Sequence, residues 1–127
     1  MQEQHLFEYA IIRIVPQVER EEFVNVGVVL FCNRQKFLQA KYLLNKERIT
    51  AFSPKLDIAD IESYLCAFER ICAGVKEGGA IAQLPRAERF RWLTATRSTV
   101  VQCSKVHPGL CDSPVEMLER LFLQMVM

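Results

Sequence analysis

The stretch Phe23-Val-Asn-Val-Gly-Val-Val-Leu-Phe31 constrains this chain more than any other. Valine recurs through it, and a β-branched side chain is stiff in a helix but packs well on a pleated surface. Side chains of a strand alternate between faces, so Val24, Val26, Val28 and Leu30 are expected on one side. Phe23, Asn25, Gly27, Val29 and Phe31 are expected on the other.

Its neighbours extend the pattern. Phe7–Val15 is apolar on both faces apart from Arg13, and Pro16 closes it because proline cannot donate to a sheet ladder. Gln17–Glu22 is a charged connection. After a turn at Cys32-Asn-Arg-Gln35, Phe37–Leu44 supplies the second arm of a β-hairpin. Asn45–Phe52 holds room for one short helical turn.

Periodicity then changes. In Asp57–Ala73, Ile58, Ile61, Leu65, Phe68, Ile71 and Cys72 fall on one helical stripe. Asp57 and Asp60 favour the helix start, and Gly74 ends it. Val75–Leu84 reads as a loop around Gly78-Gly79, and Pro85–Leu93 as a short helix with proline at its start. Thr94–Cys103 alternates around Val100 and Val101 and is predicted as a strand; Ser104–Asp112, with His107-Pro-Gly109, is predicted as a loop. Ser113-Pro-Val-Glu116 is a capping box opening a last helix, whose apolar stripe is Val115, Leu118, Leu121, Phe122 and Met125. These elements predict an α+β fold: an antiparallel sheet of about four strands with two main helices packed on one face.

No linker or repeat divides the 127 residues, so residues 1–127 are expected to form a single domain. Sixteen basic residues against 15 acidic ones leave a net charge of +1, which excludes a globally basic nucleic-acid binder. Five cysteines, an odd number without CxxC spacing, suit free thiols in a reducing compartment. The polar N-terminus does not read as a signal peptide, and no apolar run reaches membrane-spanning length. The expectation is a cytoplasmic protein without a membrane segment.

Three segments carry a family resemblance: Tyr9-Ala-Ile-Ile-Arg-Ile-Val-Pro16, Arg20-Glu-Glu-Phe-Val-Asn-Val-Gly-Val-Val-Leu-Phe31, and Arg89-Phe-Arg-Trp-Leu93 with Arg97-Ser-Thr-Val-Val-Gln102. With His107-Pro-Gly-Leu-Cys-Asp112, the chain resembles the DUF3037 family of small bacterial proteins of unknown function. The resemblance implies no catalytic residues. It implies a genomic setting, beside genes for HipA-like kinases, and hence a possible accessory role with such a kinase as protein partner.

Individual residues suggest competing uses. Asn25 beside Gly27 is a candidate ligand-binding amide, or a structural one tying a neighbouring loop. Arg13 suits an ion pair with Glu19, Glu21 or Glu22, or an anion. Arg97 and Ser98 together offer a cation and a hydroxyl for a phosphate; His107 is the remaining candidate in that ligand-binding set. Ser98, His107 and Asp112 have the types of a nucleophilic trio but no Gly-x-Ser-x-Gly elbow, so no catalytic residue is assigned.

Cys103, His107 and Cys111 are spaced C-x3-H-x3-C but lack a fourth zinc ligand at a familiar spacing, so neither metal nor cofactor is assigned. Arg86, Arg89, Arg91 and Arg97, interleaved with Phe90 and Trp92, are the nucleic-acid alternative, which Glu88 and the near-neutral charge disfavour. The apolar tail from Leu121 makes Phe122 and Met125 a candidate surface for a partner or for a homo-oligomer. The reading that results is a non-enzymatic accessory protein, with a phosphorylated-ligand module as alternative.

Overall fold

The computed structural model describes residues 4–97 and 99–127. Five strands and four α-helices follow one another: β1 (His5–Ile14), β2 (Val24–Cys32), β3 (Phe37–Tyr42), α1 (Lys46–Phe52), α2 (Ile58–Ala73), α3 (Arg86–Thr94), β4 (Val101–Cys103), β5 (His107–Cys111) and α4 (Pro114–Met125). The strands form one antiparallel sheet, so the expected α+β class holds.

β1 is its central strand. β2 pairs one edge of β1, with β3 beyond it. β4 and β5 share the other edge, β4 along Ile12–Ile14 and β5 along His5–Tyr9. Ser104 bridges the gap between them. Its backbone N–H donates to the Ile11 carbonyl at 2.8 Å, and its Oγ accepts the Ile11 N–H at 2.8 Å. A side-chain oxygen thus stands in for a missing strand, because a buried backbone amide needs a partner.

The sequence expectations need correcting at four places. The Ser104–Asp112 segment is mostly strand. Pro108 fits because β5 is an edge strand, and Gly109 leaves room for the Phe7 ring: a Cβ there would lie 2.5 Å from Cζ of Phe7. The His-Pro-Gly tripeptide marks a close approach here, not a turn. Second, the predicted strand Thr94–Cys103 shrinks to Val101–Cys103, because α3 runs on through Thr94, whose hydroxyl donates to the Phe90 carbonyl.

Third, β2 does not keep one alternation. Ile12 faces Gly27 but Arg13 faces Asn25, so Val26 is the extra residue of a β-bulge. Gly27 permits it, since a Cβ would lie 2.7 Å from the Lys41 carbonyl oxygen and from the Tyr42 Cβ. The face assignment flips at that point. Val24 and Val26 join Val29 and Phe31 in one core, while Val28 and Leu30 enter another.

Fourth, the helices do not all pack on one face. α1, α2 and α3 cover the Val29 face through Ile49, Leu65, Phe68, Phe90 and Leu93. α4 covers the opposite face, setting Leu118, Leu121 and Phe122 against Val28, Leu30 and Phe37. A strand that is apolar on both sides requires cover on both sides. Val115, expected in the α4 stripe, is 62% exposed, and Pro114 is buried in its place.

The caps follow from their residues. Asp57 accepts the N–H groups of Ala59 and Asp60 at the start of α2, and Gly74 ends the helix in a left-handed conformation, φ 70°. Ser113 accepts the Glu116 N–H at the start of α4.

Candidate functional site

α4 lies along β2 and β3 and leaves much of β1 beside it without a helix. Phe7, near the start of β1, is buried beneath it. Further along the same face, Tyr9, Ile11 and Arg13 are only half buried, although β1 has strands on both sides. Strand alternation brings Asn25 of β2, Gln102 of β4 and His107 of β5 to this face, with Phe23 just before β2. Antiparallel sheets commonly leave one face to solvent; what sets this one apart is that its half-covered part carries aromatic, apolar and cationic side chains of the central strand.

The chemistry of the face is aromatic and cationic. Tyr9 and His107 rings lie 5.3 Å apart, and the Arg13 guanidinium stands 3.9 Å over the Phe23 ring. No carboxylate occurs among Tyr9, Ile11, Arg13, Phe23, Asn25, Gln102 and His107. Among the described residues Arg13 makes no ion pair, so the partner expected for it at Glu19, Glu21 or Glu22 is not there; Glu22 pairs with Arg20 instead. Arg13 Nε and Asn25 Oδ1, on facing residues of the bulge, are buried without hydrogen-bond partners among the described residues. Such atoms in a folded protein call for an explanation.

Asn25 also has a structural task. Its Nδ2 donates to the Met125 carbonyl at 3.2 Å, and Arg48 Nη1 donates to the Val126 carbonyl at 3.3 Å. Together they satisfy carbonyls at the end of α4, which the helix itself leaves open.

The other candidate residues are dispersed. Asn25 and His107 share the open face but sit about 13 Å apart along the strands and about 10 Å across them. That is too far for one small ligand to touch both. Arg97 lies near α3, its guanidinium 4.1 Å over the Trp92 ring, and donates to the Trp92 and Leu93 carbonyls. It caps the end of α3. Ser98 lies outside the described residues. His107 packs against the Tyr9 ring in a tilted pair, and among the described residues no hydrogen bond joins it to Asp112.

The C-x3-H-x3-C residues part company as well. Cys103 packs on the α2–α3 side of the sheet and Cys111 beneath α4, while His107 is exposed. Burial pushes the Cys103 thiol up to about 12 against the opposing pull of Arg97 and Arg13, so the thiol is protonated at neutral pH. Of the proposed partner surface, Phe122 is 5% exposed and belongs to the core; Met125 is half buried against it. In the arginine segment, Phe90 is core and Arg89 is buried, while Trp92 is 40% exposed under Arg97.

A family model described as a protein of unknown function, DUF3037, matches residues 9–126. The chain belongs to the DUF3037 family. No curated protein and no solved structure matches it. The DUF3037 match opens at Tyr9 and spans Tyr9, Ile11, Arg13, Phe23, Asn25, Gln102 and His107.

Sequence reasoning missed Tyr9, Ile11 and Phe23 as surface residues. Their alternation with Ala10 and Ile12 was visible, but nothing local says that α4 stops short of β1.

Proposed function

We propose that this DUF3037 protein is a non-enzymatic accessory protein that binds a protein partner through the open face of its sheet. One observation carries the reading: the central strand presents Tyr9, Ile11 and Arg13 partly exposed, and the Arg13 cation, without an ion pair among the described residues, stands over the Phe23 ring. Aromatic and arginine side chains are the types that anchor protein interfaces. A face without carboxylates fits a partner that brings one, together with an apolar side chain to cover Ile11. The protein works in the bacterial cytoplasm, where its five free cysteines stay reduced. Among the described residues no helix is long and apolar enough to cross a membrane.

The genomic setting implied by the family resemblance makes a HipA-like kinase the partner to test first. The test is calorimetric titration of the purified protein against a HipA-like kinase from the same organism. Ile11→Glu and His107→Asp should each weaken binding by roughly tenfold or more, by placing a carboxylate where the partner's must sit. Melting temperature and circular dichroism report whether the fold is kept. Equal binding by wild type and both variants would remove the face from the interface. No binding by the wild type would remove this partner.

A further inference from the structure

We infer that the cleft between the β2–β3 turn and the α2–α3 junction is a binding site for a phosphate-bearing small molecule. It is a separate site, on the side of the sheet away from the open face. The cleft holds about 390 Å³ and is lined by Lys36, Glu69, Arg86 and Arg89, with the start of β3 as its floor. That volume is within the range of small-molecule sites, about 300–1,000 Å³.

Arg89 is fixed before any ligand arrives. Its Nε donates to the Leu84 carbonyl at 2.9 Å, and its Nη1 donates to the Ile71 and Cys72 carbonyls at 2.9 and 2.8 Å. These bonds hold the guanidinium rigid against the end of α2, and Nη2 is not among the donors. Arg86 is one turn earlier on α3. Burial first, then the nearby Arg86 charge, holds the Arg89 pKa below the usual arginine value. The two guanidinium groups therefore face each other's field, and among the described residues neither has a carboxylate in an ion pair.

Lys36 completes the set from across the cleft. It adopts a left-handed backbone, φ 53°, in a turn where glycine or asparagine would fit without strain. Glu69 is the one carboxylate of the lining, and it accepts the Tyr42 hydroxyl at 3.3 Å. Three cations against one carboxylate leave two positive charges. A phosphomonoester carries about two negative charges at neutral pH, whereas a carboxylate carries one. Charge therefore favours a dianionic phosphate group over a single carboxylate, and the remaining volume admits a small organic group.

The test uses inorganic phosphate as probe, with acetate and chloride as controls at matched ionic strength. Phosphate at roughly 10 mM should raise the melting temperature of the wild type, because a ligand that binds only the folded state stabilises it. Acetate and chloride should not. Lys36→Gly, which also removes the backbone strain, and Arg86→Gln should each abolish most of the shift while keeping the wild-type fold without ligand. Titration calorimetry should show affinity for phosphate falling about tenfold or more in each variant. Absence of a phosphate-specific shift overturns the site, as does an equal shift in either variant. An equal response to acetate overturns the assignment to phosphate.

Discussion

Ser104 shows how much one side chain can hold. Two strands, β4 and β5, meet β1 end to end, and the Ile11 backbone at their junction would face a gap. Ser104 fills it from both sides of its own backbone, and its Oγ in turn donates to the Lys105 carbonyl at 2.9 Å. Ser104→Ala should therefore strand a buried N–H at a cost of about 1–3 kcal/mol, far above the usual effect of a serine on a protein surface. Urea unfolding would read it as a lower midpoint with an unchanged slope. A loss below about 0.5 kcal/mol would mean that water reaches the Ile11 amide. Gly74 works at the same scale: a Cβ there would lie 2.7 Å from Arg89 Nη1, so the glycine both turns the chain and leaves space for the guanidinium that closes α2.

At the scale of elements, helix ends explain two of the four ligand-binding candidates, Asn25 and Arg97. Arg97 donates to the last-turn carbonyls of α3, where a cation also meets the negative end of the helix dipole. Arg97→Ala should lower stability by about 1 kcal/mol and expose Trp92 further, which a red shift of tryptophan emission would report. A variant with unchanged stability and emission would free Arg97 for a binding role. Local chemistry made several elements legible. The Asp57 and Gly74 signals bounded α2, Ser113 and Pro114 opened α4, and the hairpin arms stood out by their apolar runs. β5 was not legible, because Pro108 and Gly109 carry turn chemistry unless an edge position and the Phe7 ring are known. The bulge at Val26 was not legible either, since only pairing with β1 reveals that one residue is extra. The same is true of the candidate site. Arg13, Asn25 and His107 were each visible as residue types out of place, but their common face depends on register across β2, β1 and β5.

For the whole molecule, the two sides of the sheet differ in kind. One carries three helices and the thiols of Cys72 and Cys103; the other carries α4, the Cys111 thiol, which burial also pushes up, and the open face. Cys72 and Cys103 belong to the first side, and burial pushes both thiols from 9.0 up to about 12. Tyr42, at the same layer, is raised from 10.0 to about 12 by burial first and then by Glu69 and Cys66. In each case the neutral form is the protonated one, so the folded protein keeps protons that the unfolded chain gives up at lower pH. The stability contributed by these groups is complete below about pH 9, and it is lost as pH rises toward 12. The midpoint of urea unfolding should therefore hold near pH 8 and fall steadily by about pH 11. Lysines and other tyrosines also titrate in that interval, so the decisive quantity is a difference. A Cys72→Ala, Cys103→Ala double variant should start less stable, because it leaves small cavities, and should then lose less on the alkaline side. Parallel curves for the two proteins would show that the thiols ionise without opening the α2–α3 layer. A flatter curve for the variant would place an alkaline weak point in that layer.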